Sequence, residues 1–479
     1  MPDESILTNA VPLSPGSTAR QAHDPRSQSP RSHDRRSTDA GAAEPARPGI
    51  DPRALRARLL EVRRGTEQLA APLSAEDATA QSMPDASPTK WHLGHTTWFF
   101  ETFVLGSFPG FRAHSADYGF IFNSYYEALG ARVARHRRGL ITRPSLDEVY
   151  AYRRATTERV AALLEAMEGT PGDAEHGELR RSALERIELG IHHEQQHQEL
   201  LLTDIKHLLS QNPTFPAYHS TSNGSPCYDT APTATHAPLA YRSVAGGLVS
   251  IGHAGDDFAF DNEGPAHLTH LTPYRLATRL VTNAEYLEFM RDGGYDRPEL
   301  WLSDGFRWQR ENGVRAPLYW HEPASATPQV FTLAGLVWLQ PDEPVCHVSL
   351  YEADAYARWA GARLPSEAEW EHAAGAPDAE RGNFSESCRF HPRAPSSPDD
   401  TQMFGDAWEW TQSAYAAYPG YRPLPGALGE YNGKFMCNQM VLKGGSCATP
   451  AQHLRASYRN FFPPDARWQF SGIRLAKDA

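Results

Sequence analysis

Two histidines four residues apart, His193 and His197, carry the strongest chemical signal in this 479-residue chain. The string is His192-His193-Glu194-Gln195-Gln196-His197-Gln198-Glu199. Four-residue spacing puts both imidazoles on one face of a helix. The flanks, from Glu178 to Ile187 and from Leu200 to Ile205, support a helix. The stripe Ala183, Ile187, Gly190, His193, His197, Leu201 and Leu208 makes that face apolar and inward. Two inward imidazoles point to a metal, since neutral histidine is the commonest metal ligand. Iron, zinc and copper all suit imidazole donors.

The string also matches His-Glu-x-x-His, the zinc metalloprotease pattern. A protease of that kind needs a third ligand, and none follows at the expected place. The sixth residue after His197 is Thr203, and after Glu199 the next glutamate is Glu263. Asp204 lies on the same helix, where convergence on one ion is awkward. A di-iron carboxylate bundle would want two Glu-x-x-His units, and within residues 50–212 Glu194-x-x-His197 has no second unit to match it. Upstream, Trp91-His92-Leu93-Gly94-His95-Thr96-Thr97-Trp98-Phe99-Phe100 supplies another inward histidine, with Gly94 allowing close helix approach. One histidine from that helix and two from the later one make a three-imidazole face with open positions opposite.

These residues need helices to hold them. A helix is expected from Asp51-Pro52, an N-cap followed by proline, to about Leu69. A second starts near Ser87-Pro88 and carries His92 and His95. A third starts at Ser145, where Ser145 and Glu148 form a capping box, and runs to about Met167. The fourth runs from about Glu178 to Ser210. They are expected to form a four-helix bundle over residues 50–212, with a long functional connection from about Leu105 to Pro144. Residues 1–49 lack aromatic residues and read as a disordered tail. Residues 213–240 read as a linker. Residues 241–479 hold nine of the eleven tryptophans and read as short strands and irregular loops, with short helices near 283–290, 349–359 and after Ser366. The fold class is α+β multidomain.

Net charge is −12, which excludes general attraction to nucleic acid or an anionic membrane. No apolar run is long enough to span a bilayer, and no signal peptide is visible. The five cysteines, Cys227, Cys346, Cys388, Cys437 and Cys447, are expected to be reduced, small, buried side chains of a cytoplasmic protein.

Over roughly residues 55–479 the chain resembles the ergothioneine-type sulfoxide synthases, non-heme iron enzymes with a helical bundle fused to a formylglycine-generating-enzyme-like domain. The resemblance rests on Trp91 to Glu101, on Phe122-Asn123-Ser124-Tyr125-Tyr126-Glu127 and on His193 to His197. In the second half it rests on Gly252 to Gly264, His347 to Trp359, Arg363 to Glu371, Ala407 to Thr411, Gly444 to Cys447, Tyr458 to Pro463 and Gln469 to Arg474. It implies an irregular, C-type-lectin-like fold for residues 241–479. It implies Fe(II) on His95, His193 and His197, with O2 as co-substrate. The implied reaction joins a thiol sulfur to C2 of the imidazole of Nα-trimethylhistidine (hercynine), with oxidation to the sulfoxide.

Beside the resemblance, position and side-chain chemistry suggest roles for other residues. Gln196 is a candidate partner of the substrate imidazole. The resemblance implies that one of Tyr125 and Tyr126 supplies a phenol during oxygen activation. Arg135, Arg137 and Arg138 are candidates for a substrate carboxylate. In Asn460-Phe461-Phe462, a Trp-Asp of the γ-glutamylcysteine branch is replaced, so free cysteine is the expected thiol. Asn460 is a candidate for the carboxylate or ammonium of trimethylhistidine. Phe461, Phe462, Trp408 and Trp410 are candidates to face the quaternary ammonium. Cys437 and Cys447 do not form the copper-binding pair of formylglycine-generating enzymes. The competing readings are a zinc hydrolase using His193 and His197, and a non-enzymatic binding protein.

Overall fold

The computed structural model describes residues 49–168, 177–218, 238–375, 377, 381–397 and 399–479. The expected tail up to residue 48, most of the linker (219–237) and Cys227 lie outside the described residues.

The helical part begins with α1 (Pro52–Ala70), capped by Asp51 with proline in its first turn. The next helix, α2 (Thr89–Phe99), is buried along its whole length. It continues into a π-helical turn, Phe100–Val104. A short helix, α3 (Tyr118–Phe122), interrupts the long connection. The third long helix, α4 (Leu146–Met167), has the capping box: the Ser145 hydroxyl accepts from the Glu148 amide while Glu148 accepts from the Ser145 amide. The last, α5 (Gly177–Ser210), buries His193 and His197 as its inward stripe requires. Both α1 and α2 pack on α4 and on α5. Gly94 is needed at one crossing, because a Cβ there would sit 2.1 Å from the Phe122 ring.

The remainder is rich in short strands. In chain order these are β1 (Tyr241–Val244), β2 (Gly247–Ile251), β3 (His267–Leu271) and β4 (Tyr274–Ala277), then α6 (Asn283–Arg291) and α7 (Ser303–Glu311). After them come β5 (Trp320–His321), β6 (Gln329–Thr332), β7 (Gly335–Trp338), α8 (Leu350–Trp359) and α9 (Glu367–Ala374). The chain ends with β8 (Trp408–Ala414), β9 (Met440–Lys443), β10 (Asn460–Phe462), β11 (Ser471–Gly472) and β12 (Ala476–Asp478). Sheet orders are β1-β4-β12, β10-β9-β8-β11 and β5-β6-β7, beside the β2-β3 ribbon. Helices α6, α8 and α9 are those anticipated from Asn283, Ser349 and Ser366, and each has a capping box. Helix α7 was not anticipated, because its sequence carries Gly305 and alternates charge with aromatics. The fold is mixed α+β: helical first, strand-rich second.

The two parts share a buried seam. Glu199 of α5 accepts from the Trp408 indole at 2.7 Å, the Ser446 hydroxyl at 2.5 Å and the Thr449 hydroxyl at 2.7 Å. A buried carboxylate with three donors is fully paired, as such a position demands. Cys346 and Cys447 are buried as expected, whereas Cys388 and Cys437 are exposed; all four are free thiols. The exposed pair corrects the expectation of five buried side chains, since both lie in surface loops.

Candidate metal centre

Helices α2 and α5 bring three imidazoles together. One nitrogen from each of His95, His193 and His197 lies within 4.8 Å of the others, and all three side chains are buried. The His95 and His193 Nε2 atoms are 3.2 Å apart. Two nitrogens bound at about 2.1 Å to one first-row ion stand about 3.0–3.4 Å apart at angles from square to tetrahedral. That pair is spaced for one metal ion, and the third imidazole has a nitrogen within 4.8 Å of both.

The protonation states fit too. Burial holds the His193 ring down to about 3. Burial, then His193 nearby, holds His95 well below its ordinary value, and the same causes act on His197. All three are neutral lone-pair donors at neutral pH. His95 Nδ1 lies 2.7 Å from the Phe122 carbonyl, which can only accept, so this nitrogen carries the proton and Nε2 the lone pair. Trp91 stacks on the His95 ring at 4.6 Å.

Two neighbours in the string have other duties. Glu194 accepts from Arg63 at 3.0 Å, from Thr66 at 2.6 Å and from Arg153. These partners lie on α1 and α4, so the residue a protease would use as base is committed to packing. Asp204 accepts from the Ser87 amide at 2.7 Å and lies 3.1 Å from His92 Nε2. It is one residue removed from the cluster.

Gln196 has both ends of its amide engaged. Its Nε2 donates to the Tyr458 hydroxyl at 2.7 Å, and its Oε1 accepts from the Tyr431 hydroxyl. The Tyr431 ring lies 5.5 Å from the His193 ring and stacks on Phe260 at 5.7 Å. Behind Tyr458 runs a chain of contacts to His453 Nε2 (3.2 Å), from His453 Nδ1 to His192 Nδ1 (2.9 Å), and from His192 Nε2 to Arg58 (2.9 Å). Tyr431 and His453 were not anticipated, and Phe260 stood in the Gly252 to Gly264 string without a role. They come from loops of the second part, far along the chain, and no spacing pattern ties them to the histidines. Tyr458 stood in a string used for the resemblance but without a role.

The anticipated tyrosines stand a layer further out. Tyr125 packs against Tyr126 at 4.8 Å and lies 6.2 Å from Tyr431, ring to ring. Tyr126 is buried against Trp98 and Phe103. Burial, then the adjacent Tyr125 phenol, pushes its ionisation well above the ordinary range. The three arginines separate. Arg138 is buried, stacks 3.4 Å over Trp91 and donates to Ser87 at 2.8 Å. Arg135 and Arg137 are exposed, and Arg135 reaches only Asp85 at 3.9 Å. Asn460 accepts from the neighbouring Phe461 amide at 2.9 Å. Phe461 stacks on Tyr415 at 4.0 Å, and Phe462 meets Trp468 at 5.9 Å. The indole of Trp410 donates to the Val348 carbonyl and that of Trp408 to Glu199. Core packing accounts for Trp410.

Comparison with known proteins agrees with this division. Residues 58–201 match the DinB superfamily, and residues 230–397 and 389–479 match the sulfatase-modifying factor enzyme 1-like domain. The hercynine oxygenase of Mycolicibacterium thermoresistibile is 31% identical over 425 residues, 82% of this chain and 88% of the relative. That of Mycolicibacterium smegmatis is 35% identical over 328 residues, 61% of this chain and 72% of the relative. The formylglycine-generating enzyme of Streptomyces coelicolor is 33% identical over 152 residues, 27% of this chain and 45% of the relative. A buried three-histidine cluster, a DinB-like helical part, a formylglycine-generating-enzyme-like second part and near-full-length similarity to such oxygenases lead to one conclusion: the chain belongs to the hercynine oxygenase family.

Proposed function

We propose that His95, His193 and His197 hold Fe(II), and that the protein joins the sulfur of cysteine to C2 of the imidazole of trimethylhistidine with O2. The balance is one thiol, one imidazole C–H and one O2 giving one sulfoxide and one water. Bound Fe(II) supplies the redox chemistry that activates O2 and lowers the thiol pKa. The observation that carries this reading is the convergence of three buried, neutral imidazoles.

The chain's own residues do the rest. Gln196, next to His197 in the chain and held by Tyr431 and Tyr458, presents an oriented amide for the substrate imidazole. The phenols of Tyr125, Tyr126 and Tyr431 remain protonated, because burial raises all three, and so serve as donors. Of the three arginines we take Arg138 as the carboxylate partner, a reading supported by its stacking on Trp91, which stacks on His95. Asn460, Phe461 and Phe462 act through the shape of the second part, and loss of an acid there favours cysteine over γ-glutamylcysteine. In this reading residues 50–212 are a four-helix bundle that binds iron, and the lectin-like residues 241–479 wall the site against water. A zinc hydrolase reading lacks its base, since Glu194 faces Arg63 and Arg153.

The test is anaerobic loading with Fe(II), followed by oxygen uptake with trimethylhistidine plus cysteine or γ-glutamylcysteine. Uptake and sulfoxide formation with cysteine are expected. Iron-loaded protein that consumes no oxygen with either thiol overturns the reading. His197→Ala is expected to abolish iron binding.

A further inference from the structure

The outer nitrogens of the three clustered histidines are treated differently. His95 Nδ1 meets a backbone carbonyl. His193 Nδ1 is buried without a hydrogen-bond partner among the described residues. His197 Nδ1 meets a second histidine: His92 Nδ1 lies 2.8 Å away. His92 is buried, and its other nitrogen lies 3.1 Å from Asp204 Oδ2. That oxygen also accepts from the Ser87 amide at 2.7 Å.

Two ring nitrogens 2.8 Å apart share one proton, so one must donate and the other accept. A carboxylate accepts, which makes His92 Nε2 the donor to Asp204. With His197 read as a ligand through Nε2, its Nδ1 carries the proton, so His92 Nδ1 offers the lone pair. His197 donates into it. We propose that Asp204 and His92 form a two-residue positioning relay that fixes the tautomer and ring orientation of His197 for the metal. The relay is anchored outside the cluster. Arg138 donates to the Ser87 hydroxyl and stacks on Trp91, which stacks on His95. The inner helix therefore steadies one ligand with His92 while supplying another itself. An outer partner of this kind raises ligand basicity and affects metal affinity about 10- to 100-fold.

This inference rests on the reading of His197 as a metal ligand, and the experiment separates the two. The full chain is stripped of metal and titrated anaerobically with Fe(II) alone and with Co(II) alone. The parent is expected to bind one equivalent, and His197→Ala none. His92→Phe is expected to weaken both metals about 10- to 100-fold. Asp204→Asn keeps the side-chain shape and an accepting oxygen but loses the charge, so a smaller loss in the same direction is expected. In the Co(II)-loaded parent, a protected, paramagnetically shifted N–H resonance from His197 is expected in proton NMR. It should be absent in His92→Phe and moved in Asp204→Asn. Should His92→Phe fail to fold, Asp204→Asn alone decides. Parental affinity with an unchanged shifted N–H resonance in Asp204→Asn overturns the relay. A parent that binds neither metal overturns the ligand reading with it.

Discussion

The Glu194 carboxylate and the Arg63 guanidinium are 3.0 Å apart and both buried, although Glu194 adjoins His193 in the chain. Arg153 closes on the same carboxylate. Burial alone would raise this carboxyl, but Arg153 and Arg63 outweigh it and lower the group from 4.5 to about 2. Arg63 is itself pushed down to about 10 by burial and by Arg153, and stays charged at neutral pH. Glu194, the second residue of the protease-like His193-to-His197 string, thus ties three helices together. Glu194→Gln is expected to cost about 3–5 kcal/mol in urea unfolding, as removing one partner from a buried pair does.

The same group sets an acid limit. A carboxyl with a depressed folded pKa contributes stability that is complete above its unfolded value and lost as pH falls through the folded one. For Glu194 that window runs from 4.5 down to about 2. Glu194→Gln is expected to remove this part of the pH dependence, measured as unfolding midpoint against pH.

Lys206 works in the opposite sense. It is buried, 2.7 Å from His347 Nε2, and burial lowers it from 10.5 to about 8. Between those values the unfolded chain binds the extra proton, so stability rises with pH across that interval. Lys206→Met is expected to abolish the rise between about pH 8 and 10.5, read from thermal midpoints.

Gly94→Ala tests the helix crossing that carries His95. A Cβ there would overlap the Phe122 ring, whose residue also supplies the carbonyl facing His95. A loss of about 1–3 kcal/mol is expected from overpacking, together with weaker metal binding. Adding Phe122→Leu should restore part of both.

Three phenols can be told apart by single replacement. Tyr431→Phe removes the donor to Gln196, worth about 0.5–1.5 kcal/mol, so the KM for trimethylhistidine should rise about two- to tenfold. Tyr125→Phe and Tyr126→Phe should instead shift product toward simple thiol oxidation, measured by product ratio. Parental behaviour in both of the latter removes the anticipated tyrosine role.

By itself the sequence determined the features that depend on local periodicity. The four-residue spacing of His193 and His197, the Asp51 and Ser145 caps and the serine and threonine boxes of α6, α8 and α9 are set by helix geometry, which a few neighbouring residues encode. Gly94 marked a close helix approach beside His92 and His95 by the same logic, while the choice of His95 rested on the family resemblance. What depends on chain segments meeting at long range was decided by the tertiary structure. Tyr431 and His453 reach Gln196 and His192 from loops more than 200 positions away. Glu194 turns to α1 and α4, and only burial of Arg63 and Arg153 beside it shows why. Arg135, Arg137 and Arg138 look alike in sequence, but only Arg138 finds an indole to stack on and a buried hydroxyl to bond. His92 and His95 lie three apart on one buried helix, and packing alone sorts them: one faces a carbonyl and the clustered nitrogens, the other a carboxylate. Pairing of buried polar groups is a property of the whole packed chain, so no local reading of the sequence contains it.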